Sequence, residues 1–107
     1  MHIKSIEWFL SDTESKNKEY FKVRPEIVCK DGFKFSVQSS ERHYCTVGKS
    51  VEIGYPSEKE DIIMGYQELH VRNNDPTKSI YTNVPYELVN QVLEKHGGID
   101  IGKTLKV

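Results

Sequence analysis

The chain has 107 residues, with 15 Lys+Arg against 16 Asp+Glu and a formal charge of −1. At about 100–150 residues per domain this is a single domain, and a small one buries a small core. A charge this close to zero argues against a basic nucleic-acid binder and equally against an acidic DNA mimic.

No apolar run approaches the roughly 18 residues of a membrane span. The stretch Met1 to Trp8 lacks the apolar core of a signal peptide, so the expected compartment is the cytoplasm. Cys29 and Cys45 then read as two free, semi-buried thiols. A disulfide is open to them only if their strands are adjacent, and a cytosolic redox poise disfavours it.

Ile3, Ile6, Trp8, Phe9 and Leu10 form an apolar N-terminal segment, which residues 11–19, polar throughout, separate from the rest as a loop. From Tyr20 the pattern has period two. It places Phe21, Val23, Ile27 and Cys29 on one face and Lys22, Arg24 and Glu26 on the other. Pro25 removes a ladder donor, which predicts an edge strand or a break. Asp31-Gly32 then predicts a hairpin turn. The return strand is Phe33–Gln38, with Phe33, Phe35 and Val37 inward and Lys34, Ser36 and Gln38 toward water.

Residues 39–50 read as a loop carrying His43-Tyr44-Cys45. Val51, Ile53 and Tyr55 alternate with Glu52 and Gly54 as a third strand, which Pro56 stops. Ser57-Glu58-Lys59-Glu60 matches a capping box for a short helix bearing Ile62, Ile63, Tyr66 and Leu69. A strand over Asp61–Met64 is the competing reading. Asn73-Asn74-Asp75-Pro76 is a turn, and Ile80-Tyr81-Thr82 a short strand. The clearest helix starts at Pro85, carries Leu88, Val89, Val92 and Leu93 on one stripe, and ends at Gly97-Gly98. Lys95 and His96 lie in its last turn, where cations suit the dipole. The tail from Ile99 to Val107 alternates weakly, as an edge strand or a loose end. The order β-β-β-α-β-α predicts an α+β fold: a small antiparallel sheet with one or two short helices on one face.

Several motifs fall short of a chemistry. Gly48-Lys49-Ser50 lacks the earlier glycine of a phosphate loop, since position 43 is His, and a strand follows it rather than a helix. The histidines at positions 2, 43, 70 and 96 and the two cysteines show no Cys-x-x-Cys or close His pair, which argues against zinc; no metal and no cofactor is expected. Glu52, Glu58, Glu60 and Asp61 read as solvated faces and a helix N-terminus rather than acid–base groups. His43 and Cys45, at i and i+2, would share a strand face as a thiolate–imidazole pair, the basis of an alternative reading as a small thiol- or metal-dependent enzyme.

The six tyrosines are more informative, because Tyr is enriched at interfaces. Strand parity puts Tyr20 opposite Phe21 and Val23, and Tyr81 opposite Ile80 and Thr82. The expected contact residues are therefore Tyr20, Tyr44 and Tyr81, with Arg42 and Arg72 as cationic anchors.

Cys29-Lys30-Asp31-Gly32-Phe33, Phe35-Ser36-Val37-Gln38, His43-Tyr44-Cys45, the run from Val51 to Glu60, and the run from Val84-Pro85 to Glu94-Lys95-His96-Gly97-Gly98 form a series. It resembles a group of small bacteriophage and prophage proteins over residues 26–98. Residues 1–25 and 99–107 read as an N-terminal extension and a C-terminal tail to that core. The group carries no assigned catalytic residues, so none transfers. The resemblance implies a phage-encoded protein acting in the bacterial cytoplasm. The expected function is non-catalytic: an accessory factor that binds a host or phage protein complex, expected as an inhibitor of a host defence nuclease complex such as a CRISPR effector. A homodimer paired through the strand near Pro25 and the extensions is also open. The remaining alternative is a nucleic-acid-associated accessory of phage replication, although no segment concentrates Lys and Arg enough to neutralise a phosphate backbone.

Overall fold

The Asp31-Gly32 turn folds as predicted, and the sheet grows from it. In the computed structural model, which describes residues 3–14, 23–70 and 73–106, β1 (Ile27–Val28) pairs antiparallel with β2 (Lys34–Gln38). Gly32 N–H donates to Cys29 O at 2.9 Å, and Cys29 N–H to Phe33 O at 2.8 Å. Gly32 sits at φ 97°, which suits glycine far better than a residue with a Cβ. The loop is thus the three-residue form, Lys30 to Gly32, and Asp31 Oδ1 accepts from Phe33 N–H at 2.9 Å to hold it. Ile27 lies opposite Phe35, and Phe33, Phe35 and Val37 are buried as expected. Fully burying one such side chain contributes about 1.5–3 kcal/mol.

The sheet continues with β3 (Ser50–Gly54) and β4 (Ile80–Pro85), all antiparallel, in the order β1-β2-β3-β4. This is the α+β architecture the sequence predicts. Between β3 and β4 stand two short 3-10 helices, Asp61–Tyr66 and Pro76–Lys78. The predicted helix after Pro56 therefore exists but is a 3-10 segment, and the strand alternative over Asp61–Met64 does not form. Its capping box does not form either. Ser57 pairs with Lys34 on β2 through both its amide and its hydroxyl, at 2.8 and 2.9 Å. Glu60 becomes the N-cap, its carboxylate accepting from Ile62 N–H at 2.9 Å.

α1 (Ile6–Glu14) and α2 (Tyr86–Lys95) pack against each other, and α2 packs on β4. α1 corrects the expectation of a loop from residue 11, since it runs to Glu14. Its start is fixed twice: Ser5 Oγ accepts from Trp8 N–H at 3.2 Å, and Asn90 Oδ1 on α2 accepts from Ile6 N–H at 2.7 Å. Ile6, Phe9 and Leu10 join Ile27, Phe35, Val37, Val51, Ile53, Ile63, Val84, Val89, Val92, Leu93 and Ile99 in one buried cluster. The segments read as extensions to a core thus contribute to that core.

α2 ends in a Schellman motif. Gly98 N–H donates to Leu93 O at 2.7 Å and Gly97 N–H to Glu94 O at 3.3 Å, with both glycines at positive φ. A Cβ on Gly98 would approach Ile3 Cγ2 at 3.0 Å. Gly98→Ala is expected to cost about 1–2 kcal/mol from the backbone conformation alone, with Ile3 displaced besides. Urea denaturation beside Gly65→Ala, whose Cβ meets nothing within 4 Å, checks it. The turn feeds Ile99 into a bridge with Cys29, and then α3 (Ile101–Leu105). Here the tail is neither an edge strand nor loose. Asp100 N–H donates to Val28 O at 2.8 Å, and Thr104 Oγ1 accepts from Val28 N–H at 2.9 Å. The outer edge of β1 is therefore satisfied by the chain's own C-terminal segment.

Five parity expectations are overturned. Val23 is exposed, and residues 23–26 form no strand. Arg24 and Gln38, expected in water, are both buried. They hold each other: Arg24 N–H donates to Gln38 Oε1 at 2.9 Å, and Gln38 Nε2 to Arg24 O at 3.0 Å. Tyr55, expected inward, turns out at the end of β3 with φ 50°. In β4 the face is inverted: Tyr81 is 0% exposed while Ile80 and Thr82 are half-buried. A register irregularity between Val51 and Ile53, with Asn83 at φ 54°, puts Tyr81 and Val84 on the same side although they are three residues apart. The predicted strand from Tyr20 begins, and the prediction for Phe21 lies, outside the described residues.

Candidate functional site

Two groupings of polar and aromatic side chains stand out, one on the surface and one beneath it. The surface one is the loop from Ser39 to Lys49. Its backbone is tied down at Tyr44. Tyr44 N–H donates to Glu52 Oε2 on β3 at 3.0 Å, and Tyr44 O accepts from Asn83 N–H on β4 at 2.9 Å. The bulge at Asn83 is what turns that amide away from β3. With both backbone groups held, the Tyr44 ring stands out from the sheet, 64% exposed. Arg42 and Val47 are exposed on the same loop.

Ser40 organises the base of the loop. Its Oγ lies 2.6 Å from His43 Nδ1 and accepts from Arg42 N–H at 3.1 Å; its carbonyl accepts from the Cys45 thiol at 3.6 Å and from His43 N–H at 3.2 Å. His43 and Cys45 are thus on a loop, not a strand, and both close on Ser40. Cys29 is remote from them in the fold, buried at the end of β1. Burial, reinforced by nearby Asp31, pushes its thiol up to about 12. Both cysteines are free thiols. Among the described residues no group of three or more His, Cys, Asp or Glu is arranged to hold a metal ion.

Of the expected contact residues, Arg42 and Tyr44 are both exposed on this loop. Tyr81 is corrected: it is a core residue under the 3-10 helices, its hydroxyl donating to Pro76 O at 2.7 Å. Burial raises its pKa, with a smaller push from Asp75. Tyr20 and Arg72 lie outside the described residues.

The second grouping was missed by sequence reasoning. His96, at the C-cap of α2, is 6% exposed and lies between two carboxylates. Nδ1 is 2.6 Å from Asp31 Oδ2 on the hairpin, and Nε2 is 2.7 Å from Glu60 Oε1 ahead of the 3-10 helix. The ring stacks on Phe33 with centroids 4.0 Å apart and planes at 12°. Glu60, expected on a solvated face, is 1% exposed and also takes Lys95 Nζ at 3.0 Å. The three partners come from positions 31, 60 and 96, so no local spacing could reveal them. Asp31 and Glu60 also cap local backbone amides, and that reading masked their second role.

The remaining aromatic side chains among the described residues are structural or singly exposed. Tyr66 and Tyr86 pack half-buried against the core, and Tyr55 stands alone at the opposite end of β3 from the Tyr44 loop. Among the described residues no helix is long and apolar enough to cross a membrane. Comparison with known proteins finds no matching family model, no matching curated protein and no matching solved structure.

Proposed function

We propose that this protein acts by binding another protein, with the Ser39–Lys49 loop as the contact element and Tyr44 as its central anchor. The observation that carries this reading is the combination at Tyr44: a wide exposed ring on a backbone fixed to two strands. An interface anchor loses little freedom on binding when its backbone is already ordered, and Tyr and Arg dominate such anchors. Val47 and Arg42 supply apolar area and a cation beside it.

The resemblance of residues 26–98 to phage proteins supplies the setting. In it, the partner is a host defence nuclease complex such as a CRISPR effector, and the protein inhibits by occluding a surface that the complex needs. Tyr44→Ala is expected to weaken the complex by at least about 2 kcal/mol, roughly thirtyfold in Kd, and Arg42→Ala by a smaller factor. Thermal midpoints should stay near that of the parent, because both side chains stand outside the core. Affinity capture from phage-host cells, followed by titration of the captured nuclease subunit with parent and variants, reads this out. Undiminished binding by both variants would remove the loop from the interface. Loss of nuclease inhibition in the variants, with folding intact, is the functional counterpart.

A further inference from the structure

A neutral imidazole has one N–H, yet both ring nitrogens of His96 lie within hydrogen-bond range of carboxylate oxygens that accept only. The observed contacts therefore need the doubly protonated ring. We propose that Asp31, His96 and Glu60 form a proton-dependent clasp, which holds the tip of the β1–β2 hairpin onto the C-terminal end of α2 and releases it when His96 gives up a proton.

The geometry decides which contact breaks. Glu60 is enclosed, and its carboxylate keeps Lys95 Nζ and Ile62 N–H whatever His96 does. A remaining ring proton therefore stays at Nε2, where no water can replace it. Nδ1 then presents a lone pair to Asp31 Oδ2 at 2.6 Å, acceptor against acceptor. The Asp31 side chain is half-exposed and can turn to solvent. The tip keeps its backbone bonds, Lys30 N–H to Gly98 O at 3.0 Å and Asp31 N–H to His96 O at 3.3 Å, but loses its charged side-chain tie.

The charged and titratable groups around the ring are few. The hairpin supplies Asp31, its chain neighbour Lys30, and Cys29 at the end of β1; the segment before the 3-10 helix supplies Glu60; α2 supplies Lys95. Burial lowers the His96 pKa, but the hydrogen bonds and charges of Glu60 and Asp31 outweigh it and leave the value raised. The Asp31 carboxyl is held below its usual range first by the Phe33 amide and then by His96. Burial raises Glu60, and the Ile62 amide, His96 and Lys95 together pull it below the usual range. A histidine raised in the folded state contributes stability that is complete below its ordinary value near 6.5 and lost as pH rises through the raised one. The two lowered carboxyls contribute stability present above their ordinary range and lost as pH falls through their lowered values. The clasp is thus closed over the span between.

Side-chain nitrogen NMR of the intact protein tests this directly. His96 should carry both ring protons at neutral pH and titrate above the ordinary histidine value near 6.5. Between the ordinary histidine range and the His96 midpoint, hydrogen-exchange protection of the Lys30 and Asp31 amides, corrected for intrinsic rates, should fall by about tenfold per pH unit. Protection at core amides such as Val37 and Ile53 should not follow. Asp31→Asn should lower the His96 midpoint and flatten the tip's pH dependence, while its side-chain oxygen still accepts from the Phe33 amide. A singly protonated His96 at neutral pH, or tip protection that is flat with pH, would overturn the clasp.

Discussion

Tyr81→Ala should lower unfolding stability by about 3–5 kcal/mol, the range for removing a buried aromatic ring. Tyr81 is the largest of the fully buried side chains among the described residues, and it lies where β3, β4 and the 3-10 helix Asp61–Tyr66 meet. The ring leaves a gap that β3 and β4 cannot close on, because the sheet ladder holds them. Tyr81→Phe isolates the hydroxyl. It keeps the ring and removes only the donor to Pro76 O, so its cost should be about 1 kcal/mol. Urea denaturation of both variants gives the two numbers. The pair matters for function as well as for folding. If Tyr81 were an exposed anchor, Tyr81→Ala would weaken binding and leave stability unchanged. A core Tyr81 reverses this: stability falls, and any binding loss follows the unfolded fraction. Near-parental stability of Tyr81→Ala would contradict its placement in the core.

Much of the fold was legible where a short stretch carries its own chemistry. Asp31-Gly32 made the hairpin because Gly32 alone can take φ 97° without strain. The helix Tyr86–Lys95 was marked at both ends, by Pro85 and by two glycines, with an apolar stripe between. What escaped was set by distant partners. The inversion of β4 comes from an irregularity opposite Glu52, invisible in a run of three residues such as Ile80-Tyr81-Thr82. Period two gave Ile80 and Thr82 the buried face because they are β-branched, yet Tyr81 has a larger area to bury and a backbone oxygen within reach of its hydroxyl. From the sequence α1 reads only as an apolar segment stopping at Leu10, because Ser11-Asp12-Thr13-Glu14 look polar, although Thr13 is buried with its hydroxyl bonded to Phe9 O.

The candidate site divides along the same line. Tyr44 and Arg42 could be nominated because a polar loop exposes what it carries. His96 and Glu60 could not, because each had a sufficient local explanation, a helix C-terminus for one and a helix start for the other. Nothing in the spacing says that both reach one buried point. Every buried side-chain nitrogen and oxygen among the described residues has a partner, so these polar groups are arranged and not merely trapped. The His96 clasp and the Tyr44 loop also differ in what removal does: one joins elements, and the other projects from them.

Arg24→Ala should cost about 2–4 kcal/mol, the second-largest effect of a single change, on the scale of hydrogen bonds made by a charged donor. Arg24 is 8% exposed, and its fork reaches three acceptors on two segments. Nε donates to Thr13 Oγ1 at 2.8 Å, Nη1 to Ser39 O at 2.8 Å, and Nη2 to Leu10 O at 3.3 Å. One side chain thus ties the C-terminal half of α1 to the end of β2. The cation also lies where the helix dipole is negative, and Glu14 supports it. Burial nevertheless leaves its pKa lowered, so the bonds must offset a desolvation cost. Truncation to Ala leaves acceptors on Ser39 and Leu10 in a space with little room for water. Arg24→Lys should recover less than half of the loss, since an ammonium on a flexible stem cannot reproduce a planar fork aimed at three acceptors. Denaturant titration of the two variants measures this order. The Ser39–Lys49 loop begins at the residue that Arg24 holds, so Arg24→Ala should also loosen that loop, seen as faster amide exchange at Arg42 and His43 while the Tyr44 amide stays held by Glu52. Retention of stability within about 0.5 kcal/mol, the spread of ordinary surface changes, would show that Arg24 is no more than a surface cation.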